Sequence, residues 1–528
     1  MGIVFFDSNV CVGKRGLKHR LEIWRTEDIV SVMDQCGVSA ALVCSGWSKD
    51  YAPLYGNERL RQELLKSGRL WGCYTILPNS FTDAYEPDEL VDNLRSIGMI
   101  AAKMFPKSHN YDPNERTMGK YYHTLAESGI PLLIDASELD GLNELSQILE
   151  NHPELNILLQ GAGWPDERRI IPLMRDFKNL YVELSVMQAN HVIEDMVEKF
   201  GAGRCLFGSN MPKMSMGAAR AMIDYADISI EEKRMISGEN LARLCGMKIP
   251  EICDLENDFI AKEASEGKPM SVYVFDSHAH LLEDDGNCGG GLPMMRGDLD
   301  NMVKLNTRMG VDRYCVAPWL GIWTDSTEGN KIVLEMTAKY PEKVCGYVLI
   351  DPNYVNDVEG EARRYHLEYK LPGLKMFYAR TGIRYNDPVY NPWWQLANEN
   401  SLFALMDCGG YLTYFEDLET LVSTYPHISF FLDHAGRSFE AAEKCAAFVK
   451  EHPNTFLQLT YTTVTQGVVE YFVKEGLADR TLYGTDMPMR DPRPQLGWVT
   501  YANISVEDKK KILGANMQNI LKRCYKRR

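Results

Sequence analysis

The chain has 528 residues, 45% hydrophobic and 25% charged, too long for one ordinary domain and ample for two large buried cores. Its formal charge of −16 argues against a nucleic-acid-binding role, which calls for a basic face, and no apolar run approaches the roughly 18 residues of a membrane helix. Thirteen cysteines form no C-x-x-C pair and the N-terminal segment meets a charge at Asp7, so a reducing, cytoplasmic setting is expected rather than secretion.

In chain order, a first apolar β-rich run is predicted at 3–6, within Val4-Phe-Phe-Asp-Ser-Asn. Short apolar runs then alternate with amphipathic helical stretches. They pass Ala102-Lys103-Met-Phe and reach a last run at 204–207, which opens Leu206-Phe-Gly-Ser-Asn210-Met-Pro. Tyr225 then begins Y-A-D-I-S-I-E-E-K-R-M-I-S-G-E-N-L-A-R-L-C. At 258–271, Lys, Glu, Ser, Gly and Pro replace the apolar pattern, and this stretch reads as a linker.

The same sentences then return in the same order. Val274-Phe-Asp-Ser-His278 echoes the first run, and Leu374-Lys375-Met-Phe echoes the middle motif. Leu482-Tyr-Gly-Thr-Asp486-Met-Pro precedes Tyr501, which opens Y-A-N-I-S-V-E-D-K-K-K-I-L-G-A-N-M-Q-N-I-L-K-R-C. Several motifs matched in one register mark an internal duplication, with domains 1–257 and 272–528. Strands in the second half are predicted at 272–275, 313–317, 344–350, 373–377, 402–406, 428–432, 455–459 and 481–483. Continuous apolar runs between helices indicate a parallel sheet covered on both faces, and eight such units suggest a closed barrel. The expected class is therefore α/β, two tandem (β/α)8 TIM barrels. An open doubly wound sheet lacks its Gly-rich turn after strand one.

In such barrels, active groups sit at the C-terminal ends of strands. Strand one of the second half leads into Asp276-Ser-His278-Ala-His280, and i, i+2 spacing turns both imidazoles the same way, as a metal needs. Strand four carries Lys375, strand five ends in Asp407-Cys408, strand six in Asp433-His434-Ala-Gly, and strand eight in Gly484-Thr485-Asp486-Met-Pro.

H-x-H, H-A-G and G-T-D-M-P in this order resemble the amidohydrolase superfamily, in particular its amidohydrolase-related branch. That branch includes metal-dependent hydrolases, aromatic-acid decarboxylases, hydratases and a dicarboxylate lactonase. The resemblance covers almost the whole chain, twice. It implies His278 and His280 as metal ligands and Asp486 as a weak ligand and general base. It implies His434 as a ligand or as the group that steadies an oxyanion. A divalent ion lowers the pKa of bound water to about 7, and a nearby carboxylate can move the released proton. Strand five departs from the family pattern. Asp407 stands in place of His, an oxygen donor that makes the site harder and more anionic and favours one ion. Zinc is the expected ion, manganese the alternative. Lys375 is read as a carboxylated bridge, a partner for a substrate carboxylate, or a structural ion pair.

Arg380, Arg437 and Arg490 follow strands four, six and eight, each able to clamp a substrate carboxylate or to form a rim salt bridge. Trp323, in a long loop after strand two, faces the mouth, whereas Trp319, Trp393 and Trp394 read as packing. The segment 284–297, with Cys288, is expected at the mouth. Asp276 reads as a loop cap, and His366, His427 and His452 as surface residues. The basic tail Lys522, Arg523, Lys526, Arg527 and Arg528 reads as a solvated helix end.

The first half carries Asn9, Cys11, Lys103, Asp135, Gly161 and Asn210 at the matching positions, a degenerate site with Lys103 and Asp135 paired. A fused copy is expected to take the partner's place in an intramolecular pseudo-dimer, with Arg15, Arg168 or Arg169 as residues able to reach across; a further homodimer stays open. The leading expectation is hydrolysis of an amide, cyclic amide or lactone bond in a small carboxylated molecule. The alternatives are nonoxidative decarboxylation of a small aromatic or enoic acid and, from another class, a non-catalytic binding pseudoenzyme.

Overall fold

The computed structural model describes all residues except 1, 17–18, 284–287, 290–291, 410 and 527–528, and not the side chains of 288–289. Much of the expected mouth segment 284–297, including the Cys288 side chain, and the tail residues Arg527 and Arg528 thus lie outside the described residues. The chain divides into Met1–Asn257 and Asp258–Arg528.

In the first unit eight parallel strands pair in chain order: β1 (Phe6–Val12), β2 (Ala40–Ser45), β3 (Leu70–Ile76), β4 (Met99–Met104), β5 (Leu132–Asp135), β6 (Ile157–Gln160), β7 (Leu180–Glu183) and β8 (Cys205–Leu206). The Ser8 amide donates to the Phe207 carbonyl at 3.0 Å and the Cys11 amide to the Met211 carbonyl at 2.8 Å, so the sheet closes on itself. The second unit repeats this with β9 (Phe275–Leu281), a short hairpin β10 (Cys288–Gly289) and β11 (Leu292–Pro293), then β12 (Arg313–Pro318), β13 (Val344–Val348), β14 (Gly373–Met376), β15 (Phe403–Met406), β16 (Ser429–Leu432), β17 (Thr455–Leu459) and β18 (Thr481–Tyr483). The amides of Thr485 and Asp486 donate to the His278 carbonyl at 3.1 and 2.8 Å, closing the ring. Helices separate the strands, and both units are (β/α)8 barrels. Alternate residues along the strands, among them Tyr347, Leu405, Phe431 and Leu482, fill the interior of the second, as barrel geometry requires.

The first strand of each half lies later than the sequence reading placed it, at Phe6–Val12 and Phe275–Leu281 rather than 3–6 and 272–275. The polar run after each apolar start continues the strand instead of ending it. Its polar groups are satisfied inside the barrel. Ser8 and Ser277 donate their hydroxyls to the carbonyls of Phe207 and Tyr483 at 2.7 and 2.6 Å. Asp7 and Asp276 accept from the amides of Ser209 and Thr485 at 3.0 and 3.1 Å. The register slips between Asp7 and Val10 and between Asp276 and Ala279, a bulge that re-aims the residues following it.

The segment read as a linker carries a helix, Phe259–Ser265, capped by Asp258 and burying Ile260, Ala261 and Ala264. The repeated sentence near each end is repeated structure. Ser229 and Ser505 cap helices through the amides of Glu232 and Asp508, and each helix then widens into a π turn at Met235–Glu239 or Lys511–Ala515. In the second unit that turn presses Gly514 onto the start of strand one, where a Cβ would sit 2.4 Å from the Tyr273 carbonyl.

His366 is a correction. It is fully buried, its Nδ1 is 2.6 Å from the Leu371 carbonyl, and its Nε2 accepts from Trp393 Nε1 at 2.7 Å. Only a neutral imidazole suits that place, and burial pushes its pKa down to about 4. Trp393 and Trp394 are core residues as read, His427 is exposed, and His452 is partly buried against Phe448.

Candidate active site in the second barrel

His278 and His280 lie on β9 beyond the bulge, and Asp486 lies just past β18, across the closing seam. Asp486 adopts a left-handed backbone, φ 65°, and His434 after β16 does the same, φ 55°. Such conformations are uncommon outside glycine and tend to cluster at active sites. The first barrel keeps them at Asn210, φ 56°, and Gly161, φ 63°, although its side chains have changed.

The Nε2 atoms of both histidines converge on one carboxylate oxygen. His280 Nε2 lies 2.7 Å and His278 Nε2 3.4 Å from Asp486 Oδ1. Arg490 clasps the other oxygen, Oδ2, and its Nε donates to Thr462 Oγ1 at 2.6 Å. Burial holds His280 well below the usual imidazole range, with His278 and Lys375 adding to the effect, so it is neutral. Its Nδ1 is buried without a partner.

His278 Nδ1 faces two acceptors, Asp433 Oδ1 at 3.2 Å and Gln458 Oε1 at 3.4 Å. The network therefore places the proton on Nδ1 and leaves a lone pair on Nε2. Lys375 Nζ lies 3.3 Å from that Nε2 and 3.3 Å from Asp433 Oδ2. The lysine is thus an ion pair with Asp433 set against the histidine. Thr460 Oγ1 donates toward Gln458 Oε1 at 2.8 Å or Asp433 Oδ1 at 3.2 Å, and so accepts from His434 Nδ1 at 2.6 Å. This leaves His434 Nε2 as an acceptor. Burial drives the His434 pKa down to about 3.

Burial pushes the Asp433 carboxyl up, but His434, His278 and Lys375 around it overcome this and hold it well below the carboxylate range. Asp433 is the organising anion of the site, and the sequence reading named only the histidine beside it. Gln458 and Thr460, at the end of β17, were also missed. Polar residues two apart at the end of an otherwise apolar strand were the available signal.

The donors fall into two groups, His278, His280 and Asp486, and Asp407, Asp433 and His434, each with ligand atoms within 4.8 Å of one another. Asp407 therefore joins the second group. Burial raises it to about 6 despite Lys375, and it accepts from the Gly409 amide at 2.9 Å. Two imidazoles with a carboxylate, one of them fixed in the tautomer that offers Nε2, fit a divalent ion. The Lys375 ammonium already supplies positive charge between the groups, which suits one ion better than two.

Asp276 bonds the amides of His278 and Thr485 at 2.9 and 3.1 Å. Arg380 lies over Trp323, its guanidinium carbon 3.4 Å from the ring centre. Arg437 is half-buried, its amide donating to the His434 carbonyl at 3.2 Å. In the first barrel Lys103 Nζ lies 3.2 Å from Asp135 Oδ2 and donates to Gln160 Oε1 at 2.7 Å. Asn9 Nδ2 donates to Glu183 Oε2 at 3.0 Å. No group there pairs imidazoles with a carboxylate among the described residues.

No helix of the described residues is long and apolar enough to cross a membrane. No curated protein matches the chain. Among solved structures it is similar to an uncharacterised TIM-barrel protein from Bordetella bronchiseptica at 16% identity and TM-score 0.39, covering 48% of this chain and 99% of that one. It is also similar to 2,6-dihydroxybenzoate decarboxylase from Rhizobium, at 14% identity and TM-score 0.39 over 48% and 99% of the two chains. A third is 5-carboxyvanillate decarboxylase from Sphingomonas paucimobilis, at 12% identity and TM-score 0.37 over 48% and 99%. The family model described as Amidohydrolase matches residues 55–246 and 275–522, most of both barrels, and the chain belongs to the amidohydrolase family.

Proposed function

We propose that the second barrel is a metal-dependent hydrolase that opens an amide, cyclic amide or lactone bond in a small carboxylated molecule. The observation that carries this is the convergence of His278 Nε2 and His280 Nε2 on Asp486 Oδ1. These three residues would hold the ion, zinc by expectation and manganese as the alternative. When bound, it supplies Lewis acidity and brings the pKa of water down to about 7. Asp486 Oδ1 would accept the proton that water gives up, with Arg490 paired to Oδ2. His434 offers Nε2 as a lone pair, so it suits the acceptor's role better than the donor's role at an oxyanion. Lys375 and Asp433 keep His278 oriented.

Decarboxylation is the second reading, and Arg490 favours it. A carboxylate capped by a buried guanidinium is a weaker proton acceptor and a firmer ligand. The two readings separate on products. Purified protein loaded with zinc or manganese would be screened against amides, lactones and carboxylated aromatics in heavy-oxygen water. Heavy oxygen in a product carboxylate supports hydrolysis, and released carbon dioxide supports decarboxylation. Binding without turnover across the panel would leave the pseudoenzyme.

A further inference from the structure

An unbroken line of rings in contact runs from the site toward the surface, ending under the exposed Arg380. The His280 ring lies edge-on to Trp319 at 5.0 Å, and Trp319 meets Trp323 at 5.5 Å. Arg380 lies over Trp323 at 3.4 Å. The tryptophans belong to the short helix Trp319–Trp323 after β12, and Arg380 to the helical turn Tyr378–Thr381 after β14. Both elements rise at the C-terminal end of the barrel, where Lys375 also stands.

Three features mark this line as more than packing. Trp319 is 5% exposed, yet its Nε1 has no hydrogen-bond partner, and neither has Trp323 Nε1. A buried indole N–H normally finds an acceptor, and leaving it unpaired is costly. Arg380 is exposed and has no acidic partner among the described residues, in a chain with a charge of −16. A guanidinium held over an indole face keeps its fork of N–H groups available to a planar anion. Arg380 and Lys375 also line one small crevice, with Gly321 and Ile322 of the tryptophans' helix, Phe377 and Asp351, beside the indoles and not lined by them. Asp351 is engaged by Asn353 Nδ2 at 2.8 Å.

We propose that Trp319, Trp323 and Arg380 form the recognition wall of the site, for a carboxylated small molecule bearing at least one further oxygen acceptor. The carboxylate remote from the reacting bond takes the guanidinium edge, and the indole N–H groups take the other oxygens. His280 at the inner end of the line sets the distance between that carboxylate and the reacting centre. This assignment deepens the proposed function and rests on it only for the reaction.

The test reads binding, not turnover. Isothermal titration would use benzoate, 3-hydroxybenzoate and phthalate as probes, with the neutral amides of each as controls, on wild type, Arg380→Ala, Arg380→Lys and Trp323→Phe. At least one acid should bind wild type, its amide at least tenfold more weakly. Arg380→Ala should weaken the acid roughly tenfold or more and leave the amide unchanged. Arg380→Lys should recover only part, because lysine lacks the planar fork. Trp323→Phe should weaken binding of the hydroxylated acid more than of benzoate. Arg380 is exposed, so unfolding midpoints should match wild type and exclude a folding defect. Equal binding of the acids by wild type and Arg380→Ala, or no acid bound by wild type, would overturn the assignment. His278→Ala/His280→Ala separates the two ideas: acid binding that persists in a variant without metal leaves the wall standing even if the metal reading fails.

Discussion

Asp486 and Arg490 are locked together four residues apart, the guanidinium closing the one carboxylate oxygen that the histidines do not face. Both are almost wholly buried. Removing one member of a buried pair strands the other charge, typically at a cost of about 3 kcal/mol or more. Arg490→Ala should therefore lower the denaturation midpoint of the second unit and leave that of the first unmoved, as read by guanidinium unfolding. An unchanged midpoint would show that water already solvates Asp486.

Asp433 faces His278 through Nδ1, 3.2 Å away, and so sets that histidine's tautomer. Groups that orient ligands commonly govern metal affinity by about ten- to a hundredfold. Asp433→Asn should weaken metal binding by that order in a chelator competition, with circular dichroism unchanged. Affinity equal to wild type would assign the orienting role to Gln458 alone.

The first barrel retains the backbone of a site without its chemistry. Lys103 is spent on Asp135 and Gln160, and Asn9 on Glu183. Asn210→Ala and Cys11→Ser should leave kcat/KM of the second barrel within about twofold of wild type. A loss of tenfold or more would give the first barrel a share in the reaction.

Asp7 supplies a pH signature for the first unit. It is fully buried, its Oδ2 has no partner, and burial pushes its carboxyl up to about 7. The unfolded chain titrates it near 4. Between those values the native state holds a proton that the unfolded state has lost. Its contribution to stability is therefore full below about pH 4 and is lost as pH rises through about 7. Asp7→Asn fixes the neutral form. Wild type should lose more thermal stability than Asp7→Asn between about pH 5 and about pH 8, and parallel curves would contradict this.

Much of this was legible in the sequence because duplication wrote it twice. The eight apolar runs, the chain division near 257 and the convergence of His278, His280 and Asp486 all follow from order and spacing. The first strand was misplaced because Asp-Ser-x-x-x is polar. Only the fold shows those groups bonding across the seam to Phe207, Ser209, Tyr483 and Thr485. Asp433 went unnamed because its work is done through contacts with Lys375 and His278, which sequence distance hides. His366 looked like a surface residue because its partner, Trp393, lies on another helix.

The central claim is that one metal site exists, in the second barrel, built on His278, His280 and Asp486. Plasma mass spectrometry on protein purified without chelator or polyhistidine tag tests it directly, with His278→Ala/His280→Ala alongside. The account predicts about one zinc or manganese per chain, lost in the variant while the fold is kept. Two ions per chain would contradict the reading of Lys375 as the second positive charge, and metal content unchanged by the double substitution would contradict the site itself.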